Sequence, residues 1–283
     1  MTDDQHPVNF LETAHGSTIA WTGWKMAEVK NTEPVFSATD ADQNPSTEIT
    51  PSPEITIVFF PGHGSDMDGT KAIATADWAR ENGYGMMRFD YSGHGQSSGD
   101  IMDGTIGLWR DDALAVIDQL TTGKLILVGS SLGGWLMMLA ARARPERIAG
   151  LIGIAAAPDF TDDLIWDHLT PDQQAVMAKD GQIALPNPYS PEDVIYPYQL
   201  ITEGRNHFVL RDRMAAPYPV RLLHGMDDEE VPWETAEKLA ASCDGHDINT
   251  ILVEGAGHRF SETEQIDILW ANLGEVTLTA SKT

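Results

Sequence analysis

The chain has 283 residues, 42% of them hydrophobic, with 8 Trp, 6 Tyr and 8 Phe, enough for one large α/β domain with a sizeable core. Asp and Glu number 43 against 18 Lys and Arg, and the formal net charge of −25 argues against nucleic acid or an anionic membrane surface as partner. The single cysteine, Cys243, excludes an intramolecular disulfide.

The first stretch, "MTDDQHPVNF", is acidic. It has neither a basic start with an apolar run nor an Arg-rich pattern, so no secretory signal or transit peptide is expected. No apolar run approaches the roughly 18 residues of a spanning helix. The expectation is a cytoplasmic protein without a membrane span.

In chain order, Val8–Thr13 and Thr18–Met26 flank an "HGS" turn and predict an antiparallel hairpin. Residues 28–54 are rich in Thr, Asp, Ser and Pro and predict an exposed loop. Then strand and helix patterns alternate: "EITIVFF", "GTKAIATADWAREN", "GMMRFDY", "IGLWRDDALAVIDQL", "KLILVG", "LGGWLMMLAARA" and "IAGLIGIAAA". Residues 159–217 lack clear strands and break the rhythm, which predicts a small helical cap inserted in the domain. The alternation resumes with "VRLLHG", "WETAEKLAASC", "INTILVEG" and a helix near Glu262–Leu273. The fold class is α/β: a twisted, mostly parallel sheet with helices on both faces, in one domain over residues 1–283.

Val128–Gly134 reads "VGSSLGG" and raises the question of which serine is a nucleophile. A serine needs a base and a sharp turn that exposes it, and G-x-S-x-G between a buried strand and a helix supplies the turn. With Ser130 central, the flanks are Val128 and Leu132; with Ser131 central, they are Gly129 and Gly133. Ser131 is therefore the candidate. One oxyanion donor is expected at the backbone N–H of Leu132. The other is expected in "PGHGSDMDGT", where by analogy with H-G-x loops Gly62 permits the turn and His63 supplies the N–H.

The partners should follow in the order acid, then histidine. Leu223–Trp233, "LHGMDDEEVPW", offers Asp227, Asp228, Glu229 and Glu230, a run that is most often a solvated surface. It resembles the H-G-x-x-D-x-x-V-P loop of α/β-hydrolases, and that register favours Asp228 with Asp227 as the alternative. "VEGAGHRFSE" supplies His258. His224 and His94 read as structural. "FDYSGHGQSSGD" is rich in glycine but lacks the Lys-Ser/Thr ending of a phosphate loop. No metal-ligand spacing is present, and no cofactor is expected.

The stretches "PGHGSDMDGTKA", "RFDYSGHGQSSGD", "DGTIGLWRDDALAVIDQL", "VGSSLGGWLMMLAARARPERIAGLIGIAAAPDFTDDLIW" and "RLLHGMDDEEVPW" carry a resemblance that spans roughly His63 to Trp233. The chain resembles the α/β-hydrolase subfamily of the mitochondrial palmitoyl-protein thioesterase, also described as an acyl-glucuronide esterase, and its bacterial relatives. The resemblance implies an α/β-hydrolase fold and a serine hydrolase of small-molecule carboxylic esters or thioesters. It implies Ser131, Asp228 and His258 as the triad. His63 stands where an apolar or small residue is usual, and residues 28–54 look like an insertion. The rival readings are an acyltransferase using the same acyl-enzyme and a non-catalytic binding protein. "GRNHFVLRDRM" places Arg205, Arg211 and Arg213 close together. They either pair with surface carboxylates or grip an anionic leaving group through a guanidinium fork.

Overall fold

The computed structural model describes residues 6–25, 54–186 and 191–282. The loop expected over 28–54 lies outside them, apart from Glu54. Strands β1 (Asn9–Glu12) and β2 (Thr18–Trp24) form the expected hairpin, with Asn9 opposite Trp21. Then come β3 (Ile55–Phe60), α1 (Thr70–Glu81), β4 (Gly85–Phe89), α2 (Ile106–Leu120), β5 (Lys124–Ser130), α3 (Leu132–Ala143) and β6 (Ile148–Ile154). Next are α4 (Pro171–Asp180), β7 (Gln182–Leu185), β8 (Val194–Pro197), α5 (Tyr198–Gly204), β9 (Met214–Ala215) and β10 (Val220–Gly225). The last elements are α6 (Glu234–Ser242), β11 (Cys243–Asp244), β12 (Ile248–Val253) and α7 (Thr263–Ala280).

Eight strands form one sheet in the order β1-β2-β4-β3-β5-β6-β10-β12. β2 pairs antiparallel with β1 and β4, and every other pair is parallel. β3 is buried throughout and sends its residues to alternate faces. Val58 and Phe60 join the cluster of Trp109 and Trp135 from α2 and α3, whereas Ile55, Ile57 and Phe59 join that of Trp78 from α1 and Leu273 from α7. A strand covered on both faces reads as an unbroken apolar run, which is why "ITIVFF" shows no polar alternation.

Sheet order and chain order diverge at β3, which lies between β4 and β5. The chain leaves β3 through α1 towards one edge and leaves β5 through α3 towards the other. Such a reversal opens a crevice beyond the C-terminal ends of the two strands. The turns after β3 and β5, with His63 and Ser131, sit there.

The chain between β6 and β10 adds no strand to this sheet among the described residues. It is not purely helical, however. β7 and β8 pair antiparallel, and β9 pairs with β11. Strands of four and two residues are too short to show a period of two, and Pro197 closes β8. α4 carries its own stop and start signals: a Thr170/Gln173 capping box, Pro171 in the first turn and Gly181 at φ 79. Asp159 ties the base of this excursion together. Its buried carboxylate accepts the N–H groups of Val209 at 2.8 Å and Leu210 at 3.0 Å.

The turn from β5 into α3 is packed backbone against backbone. A Cβ on Gly133 would lie 2.0 Å from the Phe60 carbonyl oxygen, and one on Gly129 would lie 2.4 Å from the Gly133 oxygen. Alanine at 133 gains at most about 1 kcal/mol of helix propensity. Overpacking against an immovable carbonyl costs about 1–3 kcal/mol or more. Gly133→Ala is therefore expected to lower the urea midpoint; an unchanged or raised midpoint would overturn this account of the turn.

Candidate active site

Ser130 ends β5 opposite Ile154 and is buried. Ser131 lies one residue further, at φ 53 and ψ −121, in a region that side-chain-bearing residues rarely enter. Its N–H donates to the Ile154 carbonyl at 3.0 Å, and its own carbonyl accepts from Gly134 at 2.9 Å and Ala157 at 3.0 Å. These bonds hold the residue in a strained turn with its side chain in the crevice.

There the Ser131 hydroxyl lies 3.1 Å from His258 Nε2. His258 Nδ1 lies 2.8 Å from Asp228 Oδ2. A carboxylate only accepts, so the proton sits on Nδ1, and Nε2 is left to accept from the hydroxyl. Asp228 Oδ1 accepts the N–H groups of Glu230 at 3.0 Å and Val231 at 2.9 Å. His224, fully buried at the end of β10, turns a single ring nitrogen, Nε2, to both groups: it donates to the Val231 carbonyl at 2.9 Å and lies 3.2 Å from Asp228 Oδ2. Burial alone would raise the Asp228 carboxyl. The bonds from His224 and His258, the His258 charge and the Val231 N–H outweigh burial and hold it well below the usual carboxylate range. Asp227, the alternative acid, is not in the line; its N–H donates to the Ala256 carbonyl.

Gly62 brings the loop after β3 against Ser131: a Cβ there would stand 3.4 Å from the Ser131 Cβ. The positive-φ position of that turn is Gly64, at φ 66, with the Ser65 N–H donating to the Gly62 carbonyl at 3.1 Å. Gly62 thus supplies room and Gly64 the turn. Leu132 opens α3, so its N–H belongs to the unpaired donors of a helix start. The His63 ring stacks on Tyr196 at 5.8 Å and meets Trp109 and His94 edge-on. Burial, then His94, push its imidazole down to about 4, so it is neutral near pH 7.

Gly62, His63, Ser131, Leu132 and His258 all line one cavity of about 1110 Å³. Phe160, Ile165, Leu185, Val194 and Tyr196, from the chain between β6 and β10, form an apolar wall.

Known proteins are similar to this chain in sequence and in fold. Palmitoyl-protein thioesterase ABHD10, mitochondrial, of Rattus norvegicus is 40% identical over 223 residues, which cover 78% of this chain and 74% of the rat protein. This chain belongs to the ABHD10 family of α/β-hydrolases. The Homo sapiens ABHD10 is 42% identical over 214 residues, covering 75% of this chain and 70% of that one. The structure of mouse alpha/beta hydrolase domain-containing protein 10 superposes with a TM-score of 0.80 at 34% identity, over 95% of this chain and 98% of the mouse chain. A protein of Agrobacterium vitis S4 designated a hydrolase gives 0.83 at 32% identity, over 96% and 99%. The serine aminopeptidase S33 family matches residues 51–188.

The ABHD10 relatives are named as mitochondrial, which does not support the cytoplasmic expectation. Among the described residues no helix is long and apolar enough to cross a membrane. The three arginines of the "GRNHFVLRDRM" stretch do not line the cavity. Arg205 bonds Asp162 at 2.9 Å and covers the Trp166 ring, Arg211 bonds Asp163 at 3.0 Å, and Arg213 bonds Asp244 at 3.2 Å. Carboxylates that the sequence separates from them by tens of residues claim their guanidinium groups. Among the described residues, the Lys and Arg side chains on the cavity wall are Lys71 and Arg259. Sequence reasoning missed both. The one available signal was that Arg259 directly follows His258.

Asp228 is more acidic in the folded chain than at its ordinary value of 3.8, so its contribution to stability is complete above that value and is lost as pH falls towards the folded-state value. Asp228→Asn is expected to be less stable than the wild type by roughly 2 kcal/mol at about pH 7. The gap should shrink below about pH 4. Urea titrations of both proteins across that range check this; a gap that stays constant into acid would contradict it.

Proposed function

We propose that this chain is a serine hydrolase that cleaves carboxylic esters or thioesters through an acyl-enzyme on Ser131. The observation that carries the reading is the continuous line from the strained Ser131 hydroxyl through His258 to the buried Asp228 carboxylate, opening on an apolar-walled cavity. His258 Nε2 takes the hydroxyl proton as Ser131 Oγ attacks the substrate carbonyl. Asp228 keeps the proton on Nδ1 and stabilises the imidazolium. The N–H groups of His63 and Leu132 face the developing oxyanion. The imidazolium then protonates the leaving alcohol or thiol. Water, deprotonated by the same Nε2, attacks the acyl-enzyme and frees Ser131. The thioesterase names of the ABHD10 relatives support thioesters within the substrate class. The apolar wall from the chain between β6 and β10 suits the acyl portion.

The test is a fluorophosphonate label combined with turnover of p-nitrophenyl esters and thioesters of graded acyl length. Ser131→Ala is expected to abolish labelling and to lower kcat by about 10³-fold or more. Ser130→Ala, altered at the end of β5 rather than at the turn, should keep a substantial share of both. Asp228→Asn should lower kcat by up to about 10⁴-fold. Persistent labelling of Ser131→Ala would overturn the reading, and a label that never reacts with the wild type would favour a binding protein.

A further inference from the structure

Lys71 stands in the first turn of α1, where the helix dipole disfavours a cation. Lys71 lines the cavity, and burial, then Arg259, push its ammonium down to about 8. Neither property helps α1 to form, so the residue needs another explanation.

The ammonium donates to the carbonyl of Arg259, the residue after His258. That carbonyl belongs to the peptide leading into Phe260, which holds φ 44 although it is not glycine and whose ring is buried in the core. A non-glycine residue stays in that region only when its surroundings hold it there. The loop is also tied by backbone bonds, from Phe260 N–H to the Gly257 carbonyl at 3.2 Å and from Asp227 N–H to the Ala256 carbonyl at 2.9 Å, and by the His258 ring, which bonds Asp228 and Ser131. Lys71, on α1, adds a side-chain tie to the backbone of the loop through the Arg259 carbonyl. The charged groups that bear on it are Arg259 of the same loop and Asp228 and Glu230 of the acid loop. Those two carboxylates also face His258, at 2.8 Å from Nδ1 and 3.9 Å from Nε2.

We propose that Lys71 is a positioning residue for His258: it pins the His258 loop through the Arg259 carbonyl and sets a positive charge against the two carboxylates that face the imidazole. The role rests on the serine-hydrolase reading of Ser131. A charge-assisted bond is about twice as strong as a neutral one, so loss of the ammonium proton weakens the pin and removes the charge together. Activity should therefore decline along an alkaline limb centred near the Lys71 value of about 8.

The experiment measures kcat and KM from about pH 6 to pH 10 for a neutral and an anionic ester of the same acyl group, with fluorophosphonate labelling and Tm alongside. It compares wild type, Lys71→Arg and Lys71→Met. A misplaced base loses on the order of 10- to 100-fold in kcat, which is the expectation for Lys71→Met with both esters, with KM within about twofold. Lys71→Arg, whose guanidinium does not titrate in this range, should restore most of kcat and lack the alkaline limb. Should Lys71→Met prove too unstable to assay, the limb in Lys71→Arg decides: its loss supports the proposal and its persistence overturns it. Wild-type kcat in Lys71→Met also overturns it. So does a rise in KM confined to the anionic ester, which would make Lys71 a substrate contact. If Ser131→Ala fails to label and Lys71→Met behaves as wild type, only the Lys71 proposal falls. If Ser131→Ala still labels, the serine reading itself falls.

Discussion

The left-handed backbone of Ser131 is the constraint around which the centre of the fold is arranged. A side-chain-bearing residue in such a region costs about 1–3 kcal/mol and persists only when neighbours over-determine it. Here they do. β6 takes its N–H through Ile154, and α3 and the turn after β6 take its carbonyl through Gly134 and Ala157. The glycines at 129, 133 and 134 exist because α3 and β3 backbone and Ala156 of the turn after β6 occupy the space that their side chains would need. The parallel order of β3, β5 and β6 brings that backbone together. Sheet order and the strained residue are thus two views of one requirement.

The electrostatics of the site are set locally and not by the charge of the whole chain. Around Asp228, two imidazoles and two backbone N–H groups satisfy one buried carboxylate. His224 reads as structural in the sequence and is so in part, since its Nε2 sits between the acid and the Val231 carbonyl. It fixes the orientation of the loop that carries the acid. The Ser131 side of His258 carries no such cage and opens to the cavity. The imidazole is therefore held firmly at Nδ1 and left available at Nε2.

What was legible in the sequence follows the range of the interactions involved. The long alternation of apolar strands and amphipathic helices depends on neighbours within a few residues and could be read directly, and so could the placement of Ser131 rather than Ser130 at the turn into α3. The acid loop needed the likeness to related loops to separate Asp228 from Asp227. The β7–β8 hairpin was missed because four residues carry too few alternations to register as a strand. α7 runs past the expected Leu273 to Ala280, because its last turns bury Val276, Thr277 and Ala280 among threonines and a glycine that weaken the apolar pattern. The arginines misled because closeness along the chain says nothing about which carboxylates lie nearby in space. Lys71 was invisible for the converse reason: 188 residues separate it from its acceptor at Arg259.

The Asp159 bonds to Val209 and Leu210 give the excursion between β6 and β10 a closed neck. The neck is closed by these hydrogen bonds, and the excursion is further joined to the domain by Glu203 on the Gly107 N–H, by the His207 carbonyl on Trp135 and by the β9–β11 pair. Adding residues to a closed loop raises its entropic penalty only slowly, by about 0.6 kcal/mol for each doubling of length. Insertions and deletions within the excursion therefore leave β6 and β10 in register while they reshape the apolar wall above Ser131. Editing one stretch of chain can thus change the shape of the cavity without disturbing the turn that holds Ser131.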